Sequence, residues 1–167
     1  MIRILFVCTG NVCRSPMAEG LLCKLLRGGE RQEDFVVGSA GTSAMEGSPA
    51  TASSVEVCAE RGIDISGHIS RAITREMIDS ADLILTMEAG HRQRVLALVP
   101  DAAEKCFVIT KYAGGSRGAI GILDPIGQPK EEYEVTFREI QASVEAAMPK
   151  ILALSEDGSE PTRNRTV

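Results

Sequence analysis

The stretch ILFVCTGNVCRSPMAEGLL, residues 4–22, carries the reading that decides the fold. Ile2 to Val7 is a continuous apolar run apart from Arg3, the pattern of a buried parallel strand. It stops at Cys8. Small and polar residues follow, then Arg14, and Ser15-Pro16 reads as an N-cap residue with proline at the first helical position. Leu21, Leu22, Leu25 and Leu26 continue as a helical stripe that Gly28-Gly29 ends. A thiol therefore closes a strand and an arginine opens the next helix.

The rest of the chain repeats this alternation. DFVVGSAGT (34–42) reads as a second strand leaving through small residues. Ser48-Pro49 looks like a second capped helix start, with Val55, Cys58 and Ala59 at helical spacing before Gly62. ADLILTM (81–87) and KCFVIT (105–110) read as strands three and four, with a helix over Glu88–Val99 between them. A glycine-rich loop, 113–129, leads to a closing helix from Glu131 with Val135, Ile140, Val144, Ala147 and Ile151 as its stripe and Pro149 as a bend point. Strands alternating with helices imply an α/β fold with a central four-stranded parallel twisted sheet, flanked by helices in three layers. Ligands in such sheets sit beyond the carboxyl ends of the strands, which is where the first loop lies. Residues 1–154 read as one domain and the polar 155–167 as a flexible tail.

Composition narrows the function classes. Apolar residues make up 44% and charged residues 25% of 167, as in a soluble globular protein. The net charge of −5 argues against a broad nucleic-acid-binding face. No run approaches the ~18 apolar residues of a membrane helix. Five cysteines at irregular spacings do not form a disulfide framework, and the start is unlike a signal peptide, so the expectation is a cytoplasmic chain with reduced thiols.

Cys8 and Arg14 stand in the spacing Cys-x5-Arg. A loop of Thr9, Gly10, Asn11, Val12 and Cys13 on the axis of a helix N-terminus wraps backbone N–H groups around one point, where they and the helix dipole favour a phosphate-sized anion. Arg14 adds a planar two-pronged bond to anion oxygens. The same field favours a thiolate, since cysteines at helix N-termini titrate at roughly 3.5–7.5. A thiolate beneath a bound phosphate is a nucleophile for phosphoryl transfer. Cys13 is either a packing residue or a redox partner for Cys8. Asp124, in ILDPIGQP, is either a proton donor carried over the pocket or part of an ordinary Asp-Pro turn. Asp82 reads as a structural strand end, and His91, among Arg92 and Arg94, as solvated helix surface.

VCTGNVCRSPMAEG closely resembles the phosphate-binding loop of the low-molecular-weight protein tyrosine phosphatases, and Asp124-Pro125 resembles their general-acid loop. GSAGTS and GHISRAIT extend the resemblance over roughly residues 2–152. It implies the phosphotyrosine protein phosphatase I-like fold, Cys8 as nucleophile, and Arg14 with the amides of residues 9–14 as phosphate binders. It also implies Asp124 as acid and then base, and a supporting network of Asn11, Ser15, Ser39 and His68. The implied partners are a phosphorylated protein and inhibitory oxyanions; no metal or organic cofactor is implied.

The chain departs from the family's eukaryotic pattern at the substrate slot. Ile126 and Gly127 follow Pro125 where two aromatic residues are common, and Met45 lies near a third aromatic position. Aromatic stacking is worth about 0.5–1.5 kcal/mol beyond area burial. GSRG…LDPIG looks closer to bacterial members, some of which dephosphorylate protein arginine and carry threonine at the position of Val12. Valine lacks that hydroxyl, which favours tyrosine phosphatase activity over arginine phosphatase activity. Arsenate reduction needs a relay of further cysteines, typically a close pair, whereas Cys58 and Cys106 are far apart in the chain. A non-enzymatic phosphate-binding or redox module would not need nucleophile, arginine and acid together.

Overall fold

Side chains alternating between the two faces of one buried strand set up the layers. The computed structural model describes residues 1–115 and 121–157. In β1 (Ile2–Cys8), Ile4, Phe6 and Cys8 pack into one apolar cluster, and Leu5 and Val7 into the cluster on the opposite face. β2 (Phe35–Gly41) and β3 (Leu83–Thr86) flank β1, and β4 (Cys106–Val108) lies beyond β3. The order β2-β1-β3-β4 is parallel throughout, as expected. Cys8 pairs in register with Gly41, so β1 and β2 leave the sheet together at the level of the thiol.

The helices are α1 (Arg14–Leu26), α2 (Ala52–Ala59), α3 (Arg75–Ser80), α4 (Ala89–Leu98), α5 (Ile109–Tyr112) and α6 (Lys130–Asp157). Residues of α1, α2 and α6 build the cluster that takes in Cys8. Ile78 of α3 and Val95 of α4 cover the other face. The result is the expected three-layer α/β arrangement, with β1 at the topological switch between β2 and β3.

Several local expectations are corrected. α1 begins at Arg14 with Cys13 at its cap, so Ser15 and Pro16 occupy the second and third helical positions. Proline is tolerated there because first-turn N–H groups have no intrahelical acceptor. Ser48-Pro49 does not start α2. Ser48 N–H donates to Ser70 Oγ at 2.9 Å and Ser70 N–H to Ser48 O at 2.8 Å, which holds the segment extended until Thr51. β4 stops at Val108 and the chain turns into α5. The buried stripe of α6 is Tyr133, Phe137, Ile140, Val144, Ala147 and Ile151; Val135, on the other side of the helix from Tyr133 and Phe137, is 39% exposed. α6 runs through Pro149 to Asp157. Residues 116–120 of the glycine-rich loop and 158–167 of the expected tail lie outside the described residues. Among the described residues no helix is long and apolar enough to cross a membrane.

Phe137 anchors α6 in the core and carries the Arg61 guanidinium 4.8 Å above its ring. Phe137→Ala is expected to lower stability by about 3–5 kcal/mol, measured by urea unfolding; a loss below about 1 kcal/mol would contradict this packing.

Candidate active site

The loop between β1 and α1 closes around Asn11. Its φ of 54° is left-handed, the one such non-glycine residue among the described residues. Asn11 is fully buried, and each of its polar groups is engaged. Its N–H donates to Cys8 Sγ at 3.2 Å, and its carbonyl oxygen lies 2.7 Å from His68 Nε2. Its Oδ1 accepts from Arg71 N–H at 2.9 Å, and its Nδ2 donates to Ser15 Oγ and Ser39 Oγ, both at 2.9 Å. Gly41 at the end of β2 leaves the loop room: a Cβ there would stand 2.5 Å from Thr9 O and 3.0 Å from Asn11 N.

These bonds fix the direction of the donors at the sulfur. Arg71 N–H can only donate, so Asn11 Oδ1 faces it and the amide hydrogens face the serines. Ser39 Oγ passes its own hydrogen to Glu19 Oε2 at 2.5 Å. Ser15 Oγ, accepting from Asn11, has its hydrogen left for Cys8 Sγ at 3.0 Å. The sulfur, 2% exposed at the N-terminus of α1, therefore receives one amide and one hydroxyl donor. Both stabilise an anion there.

Arg14 is 1% exposed, and its guanidinium is divided between scaffold and cavity. Nη1 donates to Glu88 Oε2 at 2.6 Å and to Ile122 O at 2.7 Å, using both of its hydrogens on the protein. Nη2 lies 3.4 Å from Thr9 Oγ1 and 3.2 Å from Asp124 Oδ2. Nε is buried and has no hydrogen-bond partner among the described residues. The Nε–Nη2 edge is the fork a tetrahedral oxyanion takes. Asp124 occupies one prong of it.

The acid loop is tied to the sheet where it meets Arg14. Ile122 N–H donates to Met87 O at 2.8 Å, and Glu88 bridges Gly121. Asp124 Oδ1 accepts from Ile126 N–H at 3.1 Å, an Asx turn that keeps the carboxylate at the cavity. That cavity, of about 180 Å³, is lined by Cys8, Thr9, Gly10, Val12, Cys13, Asp124 and Ile126. A larger cleft, of about 530 Å³, lies on the flank of α1 between Glu19 and His68; neither Cys8 nor Arg14 lines it. Cys8 and Asp124 both line the smaller one.

The structure thus brings together Cys8, Arg14, Asp124, Asn11, Ser15, Ser39 and His68. Cys13 is a buried free thiol whose sulfur lies 3.5 Å from Thr51 Oγ1 and 3.6 Å from Tyr133 Oη, joining the loop to the residue ahead of α2 and to α6; burial pushes its titration up. Cys58 and Cys106 are fully buried, and burial pushes them to about 12 and about 11, so neither presents a relay thiol.

One expectation fails outright. His91 is not solvated surface: it is 5% exposed, with Nε2 2.8 Å from Thr9 Oγ1 and Nδ1 accepting Glu88 N–H at 3.1 Å. The surrounding arginines suggested solvent, but the first turn of α4 faces the site. Sequence reasoning also missed Glu88, Glu19 and Arg71. Glu88 had a usable signal, being an acid just past the carboxyl end of a parallel strand.

Comparisons with known proteins find relatives over most of the chain. Residues 3–159 match the family described as low molecular weight phosphotyrosine protein phosphatase. The chain is 39% identical over 150 residues to a protein-arginine-phosphatase of Geobacillus stearothermophilus, covering 89% of this chain and 95% of the relative. It is 38% identical to EpsP of Ralstonia nicotianae, a probable low molecular weight protein-tyrosine-phosphatase, covering 90% of this chain and 97% of the relative. The solved structure of the YwlE arginine phosphatase from Geobacillus stearothermophilus superposes with a TM-score of 0.84 at 35% identity, over 96% of this chain and 99% of that one.

Because Asp124 competes for the anion's edge of Arg14, Asp124→Ala is expected to bind orthophosphate roughly two- to fivefold more tightly, the worth of a part-exposed ion pair. Calorimetric titration measures it; weaker binding in the variant would show that the carboxylate assists the anion instead.

Proposed function

Because the chain belongs to the low molecular weight phosphotyrosine protein phosphatase family, we propose that it hydrolyses phosphotyrosine in proteins through a cysteinyl-phosphate intermediate. The observation that carries this reading is the Arg14 edge. A buried guanidinium is pinned through Nη1 and leaves Nε unpartnered among the described residues, beside a cavity lined by Cys8 and Asp124.

In the first step the Cys8 thiolate attacks phosphorus and the bond to the tyrosyl oxygen breaks. Asp124, as the carboxylic acid, protonates that oxygen as it leaves. Arg14 and the backbone N–H groups of residues 9–14, other than the Asn11 N–H that faces the sulfur, hold the equatorial oxygens, and their donors act where charge grows in the transition state. In the second step water attacks the phosphocysteine, its proton passes to the Asp124 carboxylate, and the S–P bond breaks to release phosphate. Ser15 donates to the returning thiolate; Asn11, Ser39 and His68 hold the loop. Orthophosphate and related oxyanions act as competitive inhibitors on the same edge.

The mouth favours tyrosine. Val12 lines the cavity with a methyl-bearing side chain that has no hydroxyl to offer a guanidino nitrogen, and Ile126 adds an aliphatic wall. Protein-arginine phosphatase activity is the second reading, supported by the relative that bears that name.

Cys8→Ser is expected to abolish hydrolysis of an aryl phosphate, and an unchanged rate would end the proposal. Asp124→Asn should slow turnover by about 10²–10⁴ for poor leaving groups and far less for good ones; an equal fall for both would reassign the acid. On peptides, the native protein should turn over phosphotyrosine faster than phosphoarginine, with Val12→Thr moving the ratio toward phosphoarginine. The reverse preference in the native protein would favour the second reading.

A further inference from the structure

His91 is a buried titratable group that the proposed reaction does not use. Its surroundings settle its form. Nδ1 receives the Glu88 backbone N–H at 3.1 Å, and a backbone N–H can only donate, so Nδ1 carries no hydrogen. The ring is then neutral with its hydrogen on Nε2, which donates to Thr9 Oγ1 at 2.8 Å.

Thr9 Oγ1 is also within 3.4 Å of Arg14 Nη2, and the Glu88 whose amide His91 accepts holds Arg14 Nη1 through its carboxylate at 2.6 Å. The imidazole thus closes a ring of contacts, from Glu88 through His91 and Thr9 to Arg14 and back to Glu88. Both ends of the guanidinium are fixed by residues that His91 ties together. No other side chain among the described residues touches both the Thr9 hydroxyl and the Glu88 backbone in this way.

We propose that His91 is a positioning residue: as the neutral Nε2–H imidazole it locks Thr9 and Glu88 so that Arg14 presents its Nε–Nη2 edge to the phosphoryl group. The inference rests on the phosphatase reading above and adds an acid-sensitive support to it. Protonation would put a hydrogen on Nδ1 facing the Glu88 N–H, donor against donor, and a second positive charge beside Arg14. The Glu88–His91–Thr9 link then opens, and the arginine edge loses its orientation.

The charged groups facing the ring are Arg14 of α1, Glu88 ahead of α4, with Oε2 3.8 Å from Nε2, and Asp124 of the acid loop. Burial first, then Arg14, hold His91 below the ordinary imidazole range, while Glu88 and Asp124 pull the other way. The folded state therefore favours the neutral ring at neutral pH, and the link is lost as pH falls through the lowered value.

The test uses the full chain and p-nitrophenyl phosphate, with His91→Leu and His91→Gln. Leu keeps bulk but removes both hydrogen bonds, and Gln retains a donor toward Thr9 without titrating. His91→Leu is expected to lower kcat/KM roughly tenfold and to raise the inhibition constant of orthophosphate in parallel, with His91→Gln recovering most of both. The wild-type to His91→Gln ratio of kcat/KM should fall at acid pH as the His91 ring titrates by nitrogen-15 NMR; taking the ratio cancels the ionisation of the substrate. Equal impairment in both variants with a pH-independent ratio would overturn the proposal and leave His91 as packing. If the variants do not fold, the NMR of the wild type decides alone: a charged ring or an Nδ1–H tautomer at the activity optimum overturns it, and the neutral Nε2–H form supports it. A wild type with no Cys8-dependent turnover would overturn the phosphatase reading itself, a distinct result.

Discussion

The constraint from which the site follows is the complete satisfaction of one buried side chain, Asn11. A buried amide left without partners costs about 1–3 kcal/mol per group, so a residue with all of its polar atoms engaged has few alternative positions. Its left-handed backbone turns the loop back toward the sulfur, while its side chain reaches across to β2 and to the segment carrying Arg71. Because the Arg71 N–H and the Glu19 carboxylate have fixed polarities, the hydrogen-bond direction is imposed from outside the loop and handed inward to Cys8 through Ser15.

Arg14 is the second fixed point. A guanidinium at 1% exposure is tolerated because three oxygens from two parts of the chain, Glu88 on one side and Ile122 and Asp124 on the other, surround it. Those oxygens come from the end of β3 and from the acid loop, so the cation that would grip a phosphate also staples that loop to the sheet. Gly121 lets the loop approach closely, since a Cβ at its φ of 114° would collide with the Met87 carbonyl oxygen. The base of the site is therefore polar and, apart from the open Arg14 Nε, hydrogen-bonded. The wall is different: Ile126, which lines the cavity, is an aliphatic side chain 54% exposed.

Much of this was legible in the chain. The strand ending at Cys8, the small-residue loop, the arginine and the Asp-Pro turn are local patterns, and local backbone preferences and side-chain chemistry carry them. The order of strands and helices was readable for the same reason, since continuous apolar runs and period-3.6 stripes are properties of short windows. Boundaries failed where a distant partner intervened. Ser48-Pro49 is a good helix start until Ser70 claims its backbone, and Ser15 is a good cap until Asn11 and Cys8 claim its hydroxyl.

By itself, then, the sequence determined the α/β alternation, the Cys-x5-Arg cradle and the presence of an acid downstream. Each depends on neighbours within about one turn or one strand. Only the tertiary structure decided that Glu88 and Ile122 would hold Arg14, that Arg71 and Glu19 would orient Asn11, and that His91 would be buried against Thr9. These partners are separated by up to 108 positions and meet because parallel crossovers bring the carboxyl ends of β1, β2 and β3 to one edge. Hydrogen-bond polarity across that edge is a property of the assembled sheet, and no window of the chain contains it.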